Sequence, residues 1–256
     1  MEIWIALAAF AASMLTLFSG FGLGTILMPV FGLFFPIELA VAMTAVVHIL
    51  NNLFKISLLA QQASRQTVLR FGLPSVFGGF AGAWVLTGLS RLPALHSWQY
   101  GDKIFEISWL KGIVALLMLI FALMELAPRL HKLNFARRYM TLGGLLSGFF
   151  GGLSGHQGAL RSAFLINCGL SKEQFIATGV AVAVLVDLAR LPVYFNRFAS
   201  DRVLEHWPIM LLATCCAFAG AYLGARYLKK VTLAAVRWIT ATMILVIAFL
   251  LGAGIL

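Results

Sequence analysis

The second half of this 256-residue chain repeats the first at a spacing of 135 residues, with polar residues recurring at matched positions inside apolar segments. In an ungapped overlay Ser19-Gly20 meets Ser154-Gly155, Glu38 meets Glu173, Ala42 meets Ala177, Asn52 meets Asp187 and Lys55 meets Arg190. Two copies of one unit follow. The match continues where Phe80-Ala-Gly-Ala-Trp84 resembles Phe218-Ala-Gly-Ala-Tyr222 at a spacing of 138, a slip of about one helical turn. An amide opposite a carboxylate, and an amine opposite a guanidinium, point to a site between two halves, as in secondary transporters.

The surroundings of those residues set the class. The chain is 61% hydrophobic and 11% charged, with a mean hydropathy of +0.96, more apolar than a soluble core requires. Apolar runs cover 3–18, 37–60, 72–90, 110–127, 173–195, 207–227 and 232–256, several near the ~20 residues that span hydrocarbon. Alternation of the kind a transmembrane barrel needs is missing, so the expected class is an all-α polytopic membrane protein. Met1-Glu2-Ile3-Trp4 has no basic stretch of the kind that opens a cleaved leader, and the first run reads as a retained helix. Cys168, Cys215 and Cys216 fall in apolar runs without metal or disulfide spacing, and read as small packing residues. No cofactor is expected.

The net charge of +10 is spread among loops rather than gathered in one arm, which argues against nucleic acid and for membrane topology. Segments 61–71, 128–138 and 226–237 carry Arg65, Arg70, Arg129, Lys132, Arg137, Arg138, Arg226, Lys229, Lys230 and Arg237 with no acid among them. They are expected in the cytoplasm. The N-terminus, 91–109 and 195–206 hold Arg91, Lys103, Arg197 and Arg202 against Glu2, Asp102, Glu106, Asp201 and Glu205, and are expected outside. Each copy then crosses an odd number of times, so the two are inverted: 1–127 and 139–256, joined by a cytoplasmic linker at 128–138.

Each copy opens on a Gly-rich stretch, Ser19-Gly-Phe-Gly-Leu-Gly24 and Gly148-Phe-Phe-Gly-Gly-Leu-Ser-Gly155, followed by apolar segments at 25–35 and 157–169. These are too short to span ~30 Å, and Pro29 is expected to interrupt the first. The repeated pattern reads as broken or re-entrant helices; the competing reading is close packing of helices through small residues. Pro36 with Glu38, and Ser171 with Glu173, read as the starts of the long helices that follow, with the acids at the positive dipole end.

With its paired halves, Gly-rich turns, short apolar segments and the Ala/Val/Thr-rich helix Glu38-Leu-Ala-Val-Ala-Met-Thr44, the chain resembles the sulfite exporter TauE/SafE family over nearly its whole length. The resemblance implies a bacterial or archaeal inner-membrane permease for sulfite, sulfoacetate or related small anions, often an exporter. Gly155-His-Gln-Gly-Ala-Leu-Arg-Ser162 departs from the run of Gly and apolar residues found in many relatives, which implies a substrate other than sulfite.

Cations deep in a membrane cost ~2.5–3.5 kcal/mol each, so Lys55, Arg161 and Arg190 are the residues that need a reason. Helical spacing sets His48, Asn51, Asn52 and Lys55 on one stripe, with Asp187 and Arg190 on the matching one. His156, Gln157, Arg161 and Ser162 lie in the second Gly-rich turn and the segment after it. Backbone N–H groups at Gly20, Gly22, Gly24, Ser154 and Gly155 would add to an anion site. Arg161 is the first choice for direct contact, since a guanidinium fork engages two oxygens of a sulfite or sulfonate at once. Asp187 is expected to pair with Arg190 or with Arg161, and to carry a coupled proton if it titrates. The bland alternatives are that Lys55 and Arg190 snorkel to an interface and that His48 is a satisfied core histidine. The expected partners are a small anion, a coupled proton or sodium, and lipid; a homodimer is left open. Two rivals stand beside the transporter: a passive anion channel, and an intramembrane protease using Ser154 of Gly152-Leu-Ser-Gly155, for which only His156 and His206 follow as bases.

Overall fold

In a computed structural model, which describes residues 1–19, 22–101, 103–126, 135–197, 200–227 and 233–256, every apolar run becomes a helix within a few residues of its expected bounds. Residues 1–127 hold α1 (Glu2–Ser19), α2 (Gly24–Gly32), α3 (Ile37–Leu59), α4 (Arg65–Thr67), α5 (Leu73–Leu89) and α6 (Trp109–Leu126). Residues 139–256 hold α7 (Met140–Ser154), α8 (Gly158–Leu165), α9 (Lys172–Arg197), α10 (Ser200–Leu204), α11 (Trp207–Tyr227) and α12 (Leu233–Gly252). Four helical stretches, at Ile37–Ser57, Arg65–Leu89, Lys172–Asn196 and Trp207–Gly224, are long and apolar enough to cross a bilayer.

α3 and α9 form the centre. They pack on each other, and 67% and 61% of their most apolar windows are buried, against 44% for Arg65–Leu89 and for Trp207–Gly224. The outer helices turn Phe77, Phe80 and Trp84 of α5, and Trp207, Leu211 and Tyr222 of α11, outward. Lipid would cover such faces. Around the centre α1 packs on α11, α7 on α5 and α6 on α12.

Several sequence expectations need correction. The glycines of α7 do not break it; it is one helix, and Gly144, Gly148 and Gly152 press on the carbonyls of Phe71, Ser75 and Gly79. Gly78 and Gly82 of α5 press back on the carbonyls of Leu145 and Phe149. Close packing through small residues therefore accounts for these positions. Only Gly155 ends the helix, at φ +78°, a left-handed cap that glycine adopts without a Cβ penalty.

Pro29 does not interrupt its segment as expected. α2 runs through Pro29 to Gly32, and α9 runs through Pro192 to Arg197, which membrane helices tolerate because neighbours re-satisfy the freed carbonyl. Two segments expected as loops are largely helical. Ser64 caps α4 by accepting from the Thr67 N–H at 3.4 Å, and the chain passes through a π-helical Val68–Gly72 straight into α5. The stretch 195–206 holds the end of α9 and the short α10.

The segment 91–109 contributes an antiparallel hairpin, β1 (Ala94–Tyr100) and β2 (Lys103–Ser108), with Trp98 stacked on Phe105 and donating to the Ala253 carbonyl at 2.8 Å. Most of the linker 128–138 lies outside the described residues, as do Asp102, Lys229 and Lys230.

α3 begins at Ile37, with the Pro36 carbonyl accepting its first bond from Ala40 at 2.9 Å. α9 begins with a reciprocal cap: Ser171 Oγ accepts from the Gln174 N–H at 3.2 Å, and Gln174 Oε1 accepts from the Ser171 N–H at 3.1 Å. The partner is thus Gln174, three residues on, while Glu173 accepts from the Ser171 hydroxyl. Ser171→Ala is expected to lower stability by about 1 kcal/mol, measured by thermal denaturation in detergent. An unchanged melting temperature would show that the cap is idle.

Candidate functional site

Midway along α3 and α9 the polar residues come together. Asp187, fully buried, takes two cationic or donor partners from opposite sides. Arg190 forks it, with Nε at 2.9 Å and Nη2 at 2.7 Å from Oδ1. His48 of α3 stands 2.6 Å from the other oxygen through Nδ1. An ionised carboxylate only accepts, so His48 Nδ1–H donates and its neutral ring carries the lone pair on Nε2. Asn52 Nδ2, one turn farther along α3, lies 3.1 Å from Nδ1 and 3.3 Å from Nε2.

Arg190 reaches a third element. Its Nη1 donates to the Gly151 carbonyl of α7 at 2.8 Å, and Tyr194 donates its hydroxyl to the Gly152 carbonyl. The end of α7 is thereby tied to the α3–α9 pair. Asp187 takes Arg190 as its salt-bridge partner, and gains His48 of α3. Neither Arg190 nor Lys55 snorkels: the first is wholly buried and the second 4% exposed.

Beside the His48 ring lies a narrow cavity with about 30 Å³ of room for the centres of water-sized molecules, enough for two or three waters. Its polar wall is His48, Asn52 and Lys55 of α3 with Arg161 and Ser162 of α8. Gly22 of the α1–α2 turn and Thr16 of α1 close one side. The apolar wall is Leu165 with Phe175, Ile176 and Val180 of α9. Gly179 lets the Arg161 guanidinium lie against α9: a Cβ there would stand 3.4 Å from Nε.

Other expected residues fall elsewhere. Asn51 turns away from the cavity and its Oδ1 accepts from Ser13 of α1 at 3.1 Å, because residues one apart on a helix point about 100° from each other. His156 donates from Nδ1 to the Ser154 carbonyl at 2.8 Å and stacks on Phe121 of α6. Gln157 is buried, and its carbonyl accepts from Ser147 at 3.1 Å. Of the distinctive Gly155–Ser162 motif, only Arg161 and Ser162 line the cavity.

The backbone anion site is not assembled as expected. The Gly155 N–H is taken by the Gly151 carbonyl at 3.0 Å, closing the last turn of α7, and Ser154 gives its hydroxyl to Phe150 at 3.1 Å. Gly24 packs close to the Gly155 carbonyl, bringing the two chain breaks together. Gly22 alone of the five lines the cavity, and Gly20 lies outside the described residues. The Ser154 hydroxyl therefore points into its own helix rather than to an imidazole.

Thr16, Phe175, Ile176, Gly179 and Val180 were not singled out from the sequence. Gly179 did carry a signal: a glycine inside an apolar helix that costs about 1 kcal/mol relative to alanine calls for a close neighbour.

Arg161 and Lys55, facing a small cavity deep in a polytopic chain, suit an oxyanion. Consistent with that, a sequence profile of the family described as sulfite exporter TauE/SafE matches residues 5–251. The chain belongs to the TauE/SafE family. No curated protein and no solved structure matches it. As a TauE/SafE member it is a multi-pass membrane transporter of sulfite or related compounds. Its cavity is lined by the Arg161 guanidinium, the Lys55 side chain, and the hydrogen-bonding groups of Asn52 and Ser162.

Proposed function

We propose that this chain is a secondary transporter, working as an exporter, that carries a small organosulfur or sulfur oxyanion by alternating access between two inverted halves, 1–127 and 139–256. The observation that carries it is the cavity walled by Lys55 and Arg161 and held next to the buried Asp187–Arg190–His48 set. Arg161 is the principal anion contact, Lys55 the second, and Asn52 and Ser162 add weaker bonds. His156 and Gln157 shape the break between α7 and α8 behind the site.

Packing supports the pairing of halves. Under the sequence overlay α1 corresponds to α7 and α5 to α11. The contacts of α1 with α11 and of α7 with α5 are then one contact made twice. Gly220 and Gly224 press on the carbonyls of Phe10 and Met14, while Gly78 and Gly82 press on those of Leu145 and Phe149. Phe10 and Met14 lie 135 residues before Leu145 and Phe149, while Gly220 and Gly224 lie 142 after Gly78 and Gly82, about one turn beyond the 138 of the overlay. The central pair α3 and α9, and the pair α6 and α12, exchange with themselves. The two halves are inverted with the N-terminus outside in a cell membrane, by the distribution of basic residues already described.

The test is flux in proteoliposomes together with a thermal-shift series over sulfite, sulfate, thiosulfate, sulfoacetate, taurine and carboxylates. A ligand that binds only the folded state raises the melting temperature, by about 2.7 kcal/mol of stability at a hundred times its Kd. Arg161→Ala is expected to weaken the best anion by about 10- to 100-fold, the worth of a hydrogen bond to a charged group. Unchanged affinity would remove Arg161 from the site. Saturable uptake following an imposed gradient supports transport; ohmic current without saturation would make the protein a channel.

A further inference from the structure

The His48–Asp187 contact divides the polar interior in two. α3 and α9 run past each other in opposite directions, for His48 meets Asp187 at 2.6 Å and the Ser64 N–H donates to Thr178 Oγ1 at 2.9 Å. The cavity lies on the Ser64–Thr178 side of that contact, among Asn52, Lys55, Phe175 and Gly179. On the far side stand Thr44, one turn before His48, Arg190, one turn after Asp187, and Gln157 at the start of α8. Glycines bring these three together. A Cβ on Gly151 would stand 2.9 Å from that of Gln157, and the Gly151 carbonyl holds Arg190. A Cβ on Gly24 would stand 3.6 Å from Thr44 Cγ2 and 3.4 Å from the Gly155 carbonyl, and one on Gly155 would stand 3.5 Å from Arg190 Nη1.

The hydrogen bonding on this side is incomplete. Among the described residues Thr44 Oγ1 and both amide atoms of Gln157 make no hydrogen bond, although the two residues are only 1% and 2% exposed. Thr16, Thr25, Thr87 and Thr214 give their hydroxyls to a carbonyl three or four residues back, as helical threonines do. Thr44 does not. His156 Nε2 and Asn51 Nδ2 are unpartnered too, but the histidine ring lies on Phe121 of α6 and the asparagine on α1. A buried polar group without a partner costs stability. A second conformation that uses these groups explains why they are kept.

The sequence overlay picks out the same side chains independently of their hydrogen bonding. Shifted by 135, Gly22, Asn52 and Lys55 of the cavity fall on Gln157, Asp187 and Arg190, and Gly179 falls on Thr44. We propose that Thr44 and Gln157, with Arg190, form a second oxyanion station beyond the His48–Asp187 contact, closed here, which the anion occupies once the Lys55–Arg161 cavity shuts behind it. Gln157 donates through Nε2 and Thr44 through its hydroxyl, while Arg190 turns an N–H from the Gly151 carbonyl to the anion. Arg161 and Ser162 fall on Ile26 and Leu27, so this station is the weaker of the two.

The inference rests on the alternating-access reading, to which it adds the second half of the path, and it is tested apart from that reading. Thr44→Cys and Ser162→Cys are made with Cys168, Cys215 and Cys216 replaced by Ala. Sealed vesicles of either orientation are treated with a methanethiosulfonate reagent whose sulfonate keeps it from crossing the bilayer. Ser162→Cys should react from the face that carries 61–71 and Thr44→Cys from the opposite face. Both reactions should be slowed by whichever of sulfate, methanesulfonate and sulfoacetate raises the melting temperature of the unaltered protein most. Gln157→Leu should lose flux by about 10- to 100-fold, the worth of a hydrogen bond to a charged group, while it melts no lower and binds the anion no more weakly in detergent. Thr44→Cys labelled from the same face as Ser162→Cys, or from neither, would overturn the proposal. A lower melting temperature for Gln157→Leu would overturn it too, because the amide would then be satisfied as it stands. If the unaltered protein binds none of the three anions, the cavity reading fails and this inference with it. Anion binding and saturable flux that Gln157→Leu leaves unimpaired would keep the cavity and remove the second station.

Discussion

Asp187→Ala is expected to destabilise the protein by about 3 to 5 kcal/mol, far more than Arg161→Ala, although both remove a charge near the cavity. The difference lies in what each leaves behind. Arg190 is wholly buried and two of its nitrogens rest on Asp187; without the carboxylate an unpaired guanidinium is stranded in the centre of the α3–α9 pair. His48 loses its acceptor as well. Arg161, by contrast, lines a cavity that can admit water, so a group left behind there can be hydrated. Thermal denaturation in detergent, read beside membrane yield, measures the gap. Asp187→Leu combined with Arg190→Leu should recover most of the lost stability, because replacing a whole buried ion pair with apolar side chains is often neutral, while flux stays abolished. If Asp187→Ala melted no lower than Arg161→Ala, the ion pair would not be the clamp described here, and Asp187 would belong to the cavity instead.

That distinction was only half visible in the sequence. Charges inside apolar runs stand out because each must be compensated, which is why Lys55, Arg161, Asp187 and Arg190 could be picked out. Asp187–Arg190 was one of the two pairings expected for the acid, but its partner on α3 could not be read. His48 and Asp187 are separated by 139 residues, and nothing in either helix alone says that one faces the other. The sequence reading set Asn51 and Asn52 on one stripe, but neighbours on a helix do not share a face, and the structure divides them between α1 and the cavity.

Helix positions were legible for a related reason: a bilayer demands continuous apolarity, so runs such as 207–227 return as α11 with the same ends. α7 escaped notice because five of its fifteen residues are glycine, at 143, 144, 148, 151 and 152. Glycine weakens a helix in water, whereas between membrane helices it makes the flat surface that lets two backbones meet. The hairpin at 94–108 was missed although Gly101-Asp102 is a two-residue turn signal, and Tyr100 does pair with Lys103 across it. In a chain this apolar, attention to spans hid a signal that would have been decisive in a soluble one.

The α5–α7 contact also yields the sharpest packing test. A Cβ on Gly148 would overlap the carbonyl oxygen of Ser75, and one on Gly152 that of Gly79. Backbone cannot swing aside as a flexible side chain does, so the helices must separate along their length. Gly148→Ala is therefore expected to cost about 3 kcal/mol, the upper end of overpacking, and Gly148→Val more. Gly112 of α6 supplies the control: nothing lies within 4 Å of its Cβ position, so Gly112→Ala should be neutral or raise stability by up to about 1 kcal/mol through helix propensity. Melting in detergent compares the two variants in one experiment. A Gly148→Ala protein as stable as Gly112→Ala would mean that α5 and α7 do not touch backbone to backbone. In that case Arg190, which reaches Gly151 only because α7 lies so close, would lose the bond that ties the buried ion pair to the break after Ser154.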